Sequence, residues 1–190
     1  MTDTAADTPA DQASDQVILH HVIVVGGTTD EWAAMSDESW ADLLQRLGGA
    51  AGAVGARWLV LRPYAGDTAG LPAGASRARQ LHVGGCEVLA DAETDGRRRL
   101  VGAVRELHER GVRITEQALD DVLHSPGEVD PDLVVVLGPP SRLPLALVWE
   151  LAYSELVFLD LAWRDFDEVQ LAAAIDSYTT RRRRFGGVDE

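Results

Sequence analysis

Three short, largely apolar runs constrain the fold of this chain more than any other feature. They cover residues 17–25, 57–61 and 133–137, and Gly or Pro follows each within two residues. Runs of this length bounded by turn residues are typical of strands buried on both faces. Between the first two runs, apolar residues recur with helical spacing at Trp40, Leu43, Leu44 and Leu47. Strand and helix therefore alternate, which predicts an α/β domain with a mainly parallel sheet flanked by helices.

Capping and breaker residues divide the rest of the chain into further elements. Ser36 is a favourable N-cap for the first helix, and Gly48-Gly49 is predicted to end it. Residues 63–76 are rich in Gly and Pro and are predicted to form a loop, and Thr115 can cap another helix. The other predicted elements are helices over 98–110, 144–152 and 166–182, the last with Val169, Leu171, Ala172 and Ile175 facing inward, and strands over 81–83 and 156–161.

Composition predicts a single domain and excludes several kinds of site. Residues 1–16 are polar and acidic and are predicted to be a disordered tail, which leaves residues 17–190 as one domain. Cys86 is the only cysteine, so neither an intrachain disulfide nor a cysteine-based zinc site can form. Lysine and asparagine do not occur, which excludes a P-loop lysine and a Schiff-base lysine.

The net charge of −14 disfavours nucleic acid and anionic membranes as partners, because the average surface field repels both. The sequence has no apolar run of about 18 residues and no charged start followed by an apolar segment, so neither a membrane span nor a secretory signal is expected. We therefore expect a cytoplasmic protein.

The region from residue 130 to 188 reads DPDLVVVLGPPSRLPLALVWELAYSELVFLDLAWRDFDEVQLAAAIDSYTTRRRRFGGV. It resembles the C-terminal signature of the cis-prenyltransferases, the family that includes undecaprenyl diphosphate synthase. In that family a Leu-Trp-Gln-x-Ala-Tyr-Ser-Glu-Leu run, a Trp-x-Asp-Phe segment and a closing Arg-Arg-Phe-Gly-Gly follow one another. The resemblance implies the family fold. It also implies the family reaction, in which a polyprenyl diphosphate is made from isopentenyl diphosphate and an allylic primer with Mg²⁺.

The first catalytic loop departs from the family pattern. The family reads His-x-x-x-x-Met-Asp-Gly-Asn-x-Arg-Trp-Ala, and residues 21–33 read HVIVVGGTTDEWA. Gly27 takes the place of the Asp that holds the magnesium diphosphate, Thr29 that of the Asn and Glu31 that of the Arg. A glycine has no side chain for a metal, and a glutamate repels diphosphate. The resemblance therefore implies that this chain has no catalytic residue of its own in this loop.

The other catalytic loops keep little of the family chemistry. The second family loop, Phe-Ser-x-Glu-Asn, has no match after residue 61, and Val136 takes the place of the diphosphate-binding Arg in the third loop. Arg142 is the one retained candidate for a phosphate contact there. The family's metal-binding Glu is retained as Glu155. The chain is also shortened in the middle, between the second strand and Asp132, where the family places the helices that wall the prenyl tunnel.

One branch of the family resembles this chain more closely: the Nogo-B receptor type, a non-catalytic subunit of heteromeric cis-prenyltransferases. Its Phe-Gly-Pro corresponds to Leu137-Gly138-Pro139, and its terminal Arg-x-Gly corresponds to Arg184, Phe185 and Gly186. The resemblance implies an accessory subunit that is inactive alone. Its C-terminus would bind diphosphate in the active site of a catalytic partner, which would hold most of the Mg²⁺. Membrane contact would come through that complex. The residues expected at the interface are Leu145, Trp149, Tyr153 and Phe158.

Two other functions remain open at this point. A divergent enzyme could use Asp30, Glu31 and Glu155 as a new Mg²⁺ site for a short prenyl diphosphate, and an interaction module could keep only the dimer face. The histidines show no metal-ligand spacing, and Asp120-Asp121 has the pattern of a helix surface.

Overall fold

The structure is a computed structural model, and it describes residues 19–66, 78–140 and 143–185, with side chains described as far as Arg181. The strands are β1 (His21–Val25), β2 (Trp58–Arg62), β3 (Arg79–Val83), β4 (Cys86–Ala90), β5 (Leu133–Leu137) and β6 (Glu155–Leu159). The α-helices are α1 (Thr29–Ala34), α2 (Asp37–Ala53), α3 (Gly96–Glu109), α4 (Glu116–Leu123) and α5 (Glu168–Phe185). Three 3₁₀ turns cover Leu145–Leu147, Glu150–Ala152 and Trp163–Asp165.

All six strands form one sheet in the order β3-β4-β2-β1-β5-β6. Every neighbouring pair is parallel except β3 and β4, which form an antiparallel hairpin with β3 as the outermost strand. The predicted α/β fold with a mainly parallel sheet is therefore confirmed. We call the end of the sheet where β1, β2, β4, β5 and β6 finish the carboxyl edge, and the opposite end the amino edge.

Two apolar layers cover the sheet. Val22, Val24 and the residues in register on β2 and β5 pack against α2 and α5. Ile23, Val25 and their neighbours point to the other face and pack against Ala146 and Leu147. Successive side chains of a strand point to opposite faces, so continuous apolar runs supply both layers.

Helix α2 continues past Gly48-Gly49 to Ala53, so the predicted helix end was wrong. A Cβ atom at Gly48 would lie 2.6 Å from Val88 Cγ2. The glycine therefore allows the helix to approach the sheet closely and does not end it. Strand β4 was not predicted, because its alternating burial places only every second residue in the core.

Residues 144–152 were predicted to form one helix and instead form two 3₁₀ turns. The carbonyl of Ala146 accepts a hydrogen bond of 2.8 Å from Arg99 Nη1. In a continuous α-helix that carbonyl would also accept from the amide of residue 150. A side chain from a distant helix therefore contacts the segment where the predicted helix is interrupted.

Helix α5 was predicted correctly as a helix, but only two of its four predicted inward-facing residues are buried. Leu171 and Ile175 are buried as expected, whereas Val169 is 63% exposed and Ala172 is also exposed. The remaining inward positions are Ala174 and Tyr178. Over the residues that the structure describes, no helix combines the length and apolarity needed to cross a membrane.

Candidate functional site

The first loop of the carboxyl edge is a tight turn at Gly26-Gly27, held by the strand beside it. The amide of Gly26 donates to Arg62 O at 3.0 Å, and the amide of Tyr64 donates to Gly27 O at 2.7 Å. The amide of Thr29 donates to Ala65 O at 3.0 Å. These hydrogen bonds fix the loops after β1 and β2 against each other.

Gly27 is a position where any side chain would be strained. Its φ angle is +72°, in the left-handed region that side chains disfavour. A Cβ atom there would also lie 2.8 Å from Trp163 Cγ and 3.1 Å from Trp32 Nε1. The space that a carboxylate at position 27 would need is therefore occupied by two indole rings.

The tryptophans over Gly27 belong to a buried aromatic cluster. The ring centroids of Trp32 and Trp163 are 5.4 Å apart, and those of Trp32 and Trp40 are 4.8 Å apart. Trp32 Nε1 donates to Gly26 O at 3.0 Å, and Trp40 Nε1 donates to Trp32 O at 3.2 Å. The cluster thus both fills and fixes the first loop. The sequence alone does not reveal this cluster, because Trp163 lies far along the chain from Gly27.

Glu31 and Asp30 lie in the first turn of α1. Glu31 Oε2 accepts the amide hydrogen of Thr28 at 2.8 Å, while Thr28 Oγ1 accepts from the amide of Glu31, which completes a capping box. Asp30 is exposed beside it. Glu31 is therefore used to begin the helix.

Arg62, the last residue of β2, brings a buried positive charge to the carboxyl edge. Its Nη1 donates to Asp91 Oδ2 at 2.6 Å, and Arg62 is only 3% exposed. Burial and repulsion from Arg99 lower the pKa of Arg62 from its usual value. Burial opposes ionisation of Asp91, yet the attraction of Arg62 and the hydrogen bonds to Asp91 outweigh it, so the pKa of Asp91 lies below its usual range. The arginine charge at this edge is therefore already matched by a carboxylate.

A second buried ion pair joins Arg99 of α3 to Glu150. Arg99 Nη1 donates to Glu150 Oε1, and Arg99 Nη2 donates to Leu123 O at 2.7 Å. The sequence alone did not indicate that Arg99 is buried, because three consecutive arginines give no sign of which one turns inward. Arg99 therefore links three elements: α3, the end of α4 and the two 3₁₀ turns over residues 145–152, which we call the 3₁₀ segment.

Glu155 lies at the amino edge, where its Cα is paired with Leu133 at the start of β5. Arg181 Nη1 is 3.6 Å from Glu155 Oε1. Asp30 lies beyond the carboxyl end of β1, and a five-residue strand rises about 13 Å between the two edges. The metal site of Asp30, Glu31 and Glu155 is therefore not formed in this structure, because the strands hold its members at opposite edges.

The expected interface residues divide into an exposed set and a core set. Leu145 and Tyr153 are 76% and 74% exposed. Together with the exposed Leu143 and Val148, they form what we call the apolar strip. Phe158 is half-buried against the second core layer. Trp149 is also half-buried, and its Nε1 donates to Asp120 Oδ1 at 2.6 Å.

The predicted diphosphate-binding residues fall at the limits of the described structure. Arg142 and Gly186 lie outside the described residues. Arg184 and Phe185 belong to the last turn of α5, and their side chains lie outside the described part. Their roles stay predictions.

Comparison with known proteins agrees with this fold. A family model described as "Putative undecaprenyl diphosphate synthase" matches residues 80–186. The isoprenyl transferase of Chromobacterium violaceum is 44% identical over 100 residues, which cover 52% of this chain and 40% of the relative. That of Thermotoga maritima is 38% identical over 98 residues, covering 49% and 42%. The chain thus spans about two fifths of the length of these curated relatives.

Solved structures show the same architecture. A probable undecaprenyl diphosphate synthase from Campylobacter jejuni has a TM-score of 0.59 and 16% identity, and the match covers 86% of this chain and 96% of that one. Lavandulyl diphosphate synthase from Lavandula x intermedia, solved with dimethylallyl diphosphate, has a TM-score of 0.59 and 19% identity, with 87% and 97% covered. The fold agrees with the family model, and by that model the chain belongs to the undecaprenyl diphosphate synthase family of cis-prenyltransferases.

Proposed function

We propose that this chain is a non-catalytic, activating subunit of a heteromeric cis-prenyltransferase that makes a polyprenyl diphosphate. The observation that carries the proposal is Gly27. By resemblance it stands at the position of the family's metal-binding aspartate; its backbone has a positive φ angle, and Trp163 fills the space beside it. The first loop therefore does not fit a Mg²⁺ ion of this chain's own.

The neighbouring charges support the same proposal. Glu31 caps α1, and Asp91 is paired with Arg62, so both carboxylates already have internal partners. Glu155 is at the amino edge beside Arg181. A Mg²⁺ ion needs about six oxygen ligands in near-octahedral geometry. In the complex, the catalytic partner would supply those ligands together with the diphosphates of isopentenyl diphosphate and the allylic primer.

The proposed contribution of this chain is its C-terminus. Arg184, Phe185 and Gly186 would enter the partner's active site, where a guanidinium can bind diphosphate through two hydrogen bonds and a glycine amide can approach phosphate closely. Arg142 would add a second phosphate contact. The apolar strip supports a protein partner, because exposed leucine, valine and tyrosine side chains in one segment are typical of interfaces. Contact with a membrane would be made through the complex.

Prenyl transfer from labelled isopentenyl diphosphate tests the proposal. The chain is assayed alone and co-expressed with a catalytically intact cis-prenyltransferase from the same genome. We expect no product from the chain alone and strong stimulation of the pair. Arg184→Ala should reduce the stimulation about tenfold or more, because a hydrogen bond to a charged group contributes about 1.5–3 kcal/mol.

The matched control is Arg97→Ala, which removes an exposed arginine near the start of α3 and should leave stimulation unchanged. Magnesium-dependent turnover by the chain alone would contradict the proposal and favour a divergent enzyme. If the chain binds the catalytic subunit tightly without any effect on prenyl transfer, the proposal is wrong and the chain is an interaction module.

A further inference from the structure

The amino edge of the sheet brings together three side chains that the sequence keeps apart. Asp120 and His124 are four residues apart at the end of α4, so they lie on one face of the helix. Asp130 lies in the segment that leads into β5. One ligand atom from each of the three lies within 4.8 Å of the other two. The histidines have no metal-ligand spacing in the sequence, but the fold supplies the missing ligand from a loop.

His124 points to a bound cation more directly than the carboxylates do. It is only 4% exposed, and its Nε2 atom has no hydrogen-bond partner among the described residues. Asp130 Oδ1 lies 3.4 Å from Nε2, an ion-pair contact that is longer than a normal hydrogen bond. A buried polar atom without a hydrogen bond is uncommon and costly. A metal ion between His124 and Asp130 would satisfy it.

The surroundings are suited to a positive ion. A cleft of about 200 Å³ is lined by Gln117, Asp120, Asp121, His124, Glu128, Val129 and Asp130. Four of these residues are acidic, and none of the lining residues is a lysine or an arginine. Trp149 Nε1 donates to Asp120 Oδ1 at 2.6 Å, which holds that carboxylate in place as outer hydrogen bonds do around metal ligands.

We propose that Asp120, His124 and Asp130 bind a divalent transition-metal ion of the zinc class. Two carboxylates and an imidazole are ligands that Zn²⁺ accepts, whereas Mg²⁺ prefers oxygen alone. With metal–ligand bonds of about 2.0–2.2 Å, two ligands of a tetrahedral ion lie about 3.4 Å apart, which matches the His124–Asp130 separation.

The proposed ion has a structural role. The site is at the amino edge, at the opposite end of the sheet from the Gly27 turn. It joins α4 to the segment before β5, and through Trp149 it reaches the segment that carries the apolar strip. An ion bound there would stabilise the fold by mass action and would rigidify that segment. The inference is independent of the proposed function.

The test uses the full chain without an affinity tag, stripped of metal. Calorimetric titration with Zn²⁺ should show one site, and Zn²⁺ should raise the unfolding temperature whereas Mg²⁺ should not. Asp130→Asn should weaken Zn²⁺ binding at least tenfold and remove the temperature shift. Because Asp130 is exposed, this variant should fold. His124→Gln should have the same effect on binding if it folds.

Asp121→Asn is the matched control, because it removes an acidic residue from the same cleft and the same helix but not from the three-residue cluster. It should change the Zn²⁺ affinity less than twofold. Either a wild-type dissociation constant weaker than about 1 mM or unchanged binding in Asp130→Asn would overturn the proposal.

Discussion

At the scale of single residues, Gly27 combines a positive φ angle with close contacts to Trp163 and Trp32. The aromatic cluster leaves little room for a side chain at this position, because protein interiors are close-packed and tolerate little added volume.

Gly27→Asp is therefore expected to destabilise the chain without restoring metal-dependent activity. Left-handed backbone costs a non-glycine residue about 1–2 kcal/mol, and overpacking adds about 1–3 kcal/mol. We expect the free energy of unfolding to fall by about 2–5 kcal/mol, measured by urea denaturation.

Gly111→Asp separates the two effects. Its φ angle of +66° is similar, but no atom lies within 4 Å of the added Cβ. This control should lose only the backbone contribution of about 1–2 kcal/mol. Equal losses at the two positions would show that the Trp163 contact has no energetic role.

At the scale of elements, the buried Arg99–Glu150 pair decides how the 3₁₀ segment meets α3. Both side chains are less than 10% exposed, and Arg99 also donates hydrogen bonds to the backbone carbonyls of Ala146 and Leu123. The continuous apolar strands and the caps were predictable because they depend on neighbouring residues, as at Ser36 and Thr115, which cap α2 and α4 as expected. The contacts of the broken helix were not predictable, because Arg99 lies about 50 residues away from it.

Removing one partner of this pair should destabilise the fold, because it leaves the other charge buried without an opposite charge beside it. We expect Arg99→Met to reduce the free energy of unfolding by about 3–5 kcal/mol. The double variant with Glu150→Leu should recover part of that loss, since neither charge remains. Chemical denaturation of both variants measures the difference.

The exposed pair Arg110–Glu106 on the same helix is the comparison. Arg110→Met should cost about 0.5 kcal/mol or less, because solvent screens exposed pairs. If Arg99→Met costs no more than Arg110→Met, the buried pair does not stabilise the 3₁₀ segment as described.

At the scale of the whole molecule, the two edges of the sheet have different roles. The carboxyl edge, where ligands of open parallel sheets bind, has a filled first loop and a neutralised arginine. The apolar strip is the surface that we expect to bind a catalytic partner.

Leu145→Glu should weaken binding to the catalytic subunit by about 2 kcal/mol or more, roughly thirtyfold, as for a central interface residue. Since Leu145 is 76% exposed, the unfolding midpoint of the isolated chain should not change. Calorimetric titration with the partner gives the affinity.

Val169→Glu is the control, because Val169 is a similarly exposed apolar residue on α5, outside the strip. It should bind the partner as the wild type does. A similar loss for both variants would mean that the strip is not the specific contact.

The sequence by itself determined the α/β class, the strands β1, β2 and β5, the helix caps and the family, because apolar periodicity and motifs are read from neighbouring residues. It also predicted that Gly27 stands where the family has its metal-binding aspartate. Only the tertiary structure decided that Trp163 fills that position and that Arg99 is buried. It alone brought Asp120, His124 and Asp130 together. Each of these depends on contacts between residues far apart in the chain, and local patterns do not specify which distant side chain will pack against which.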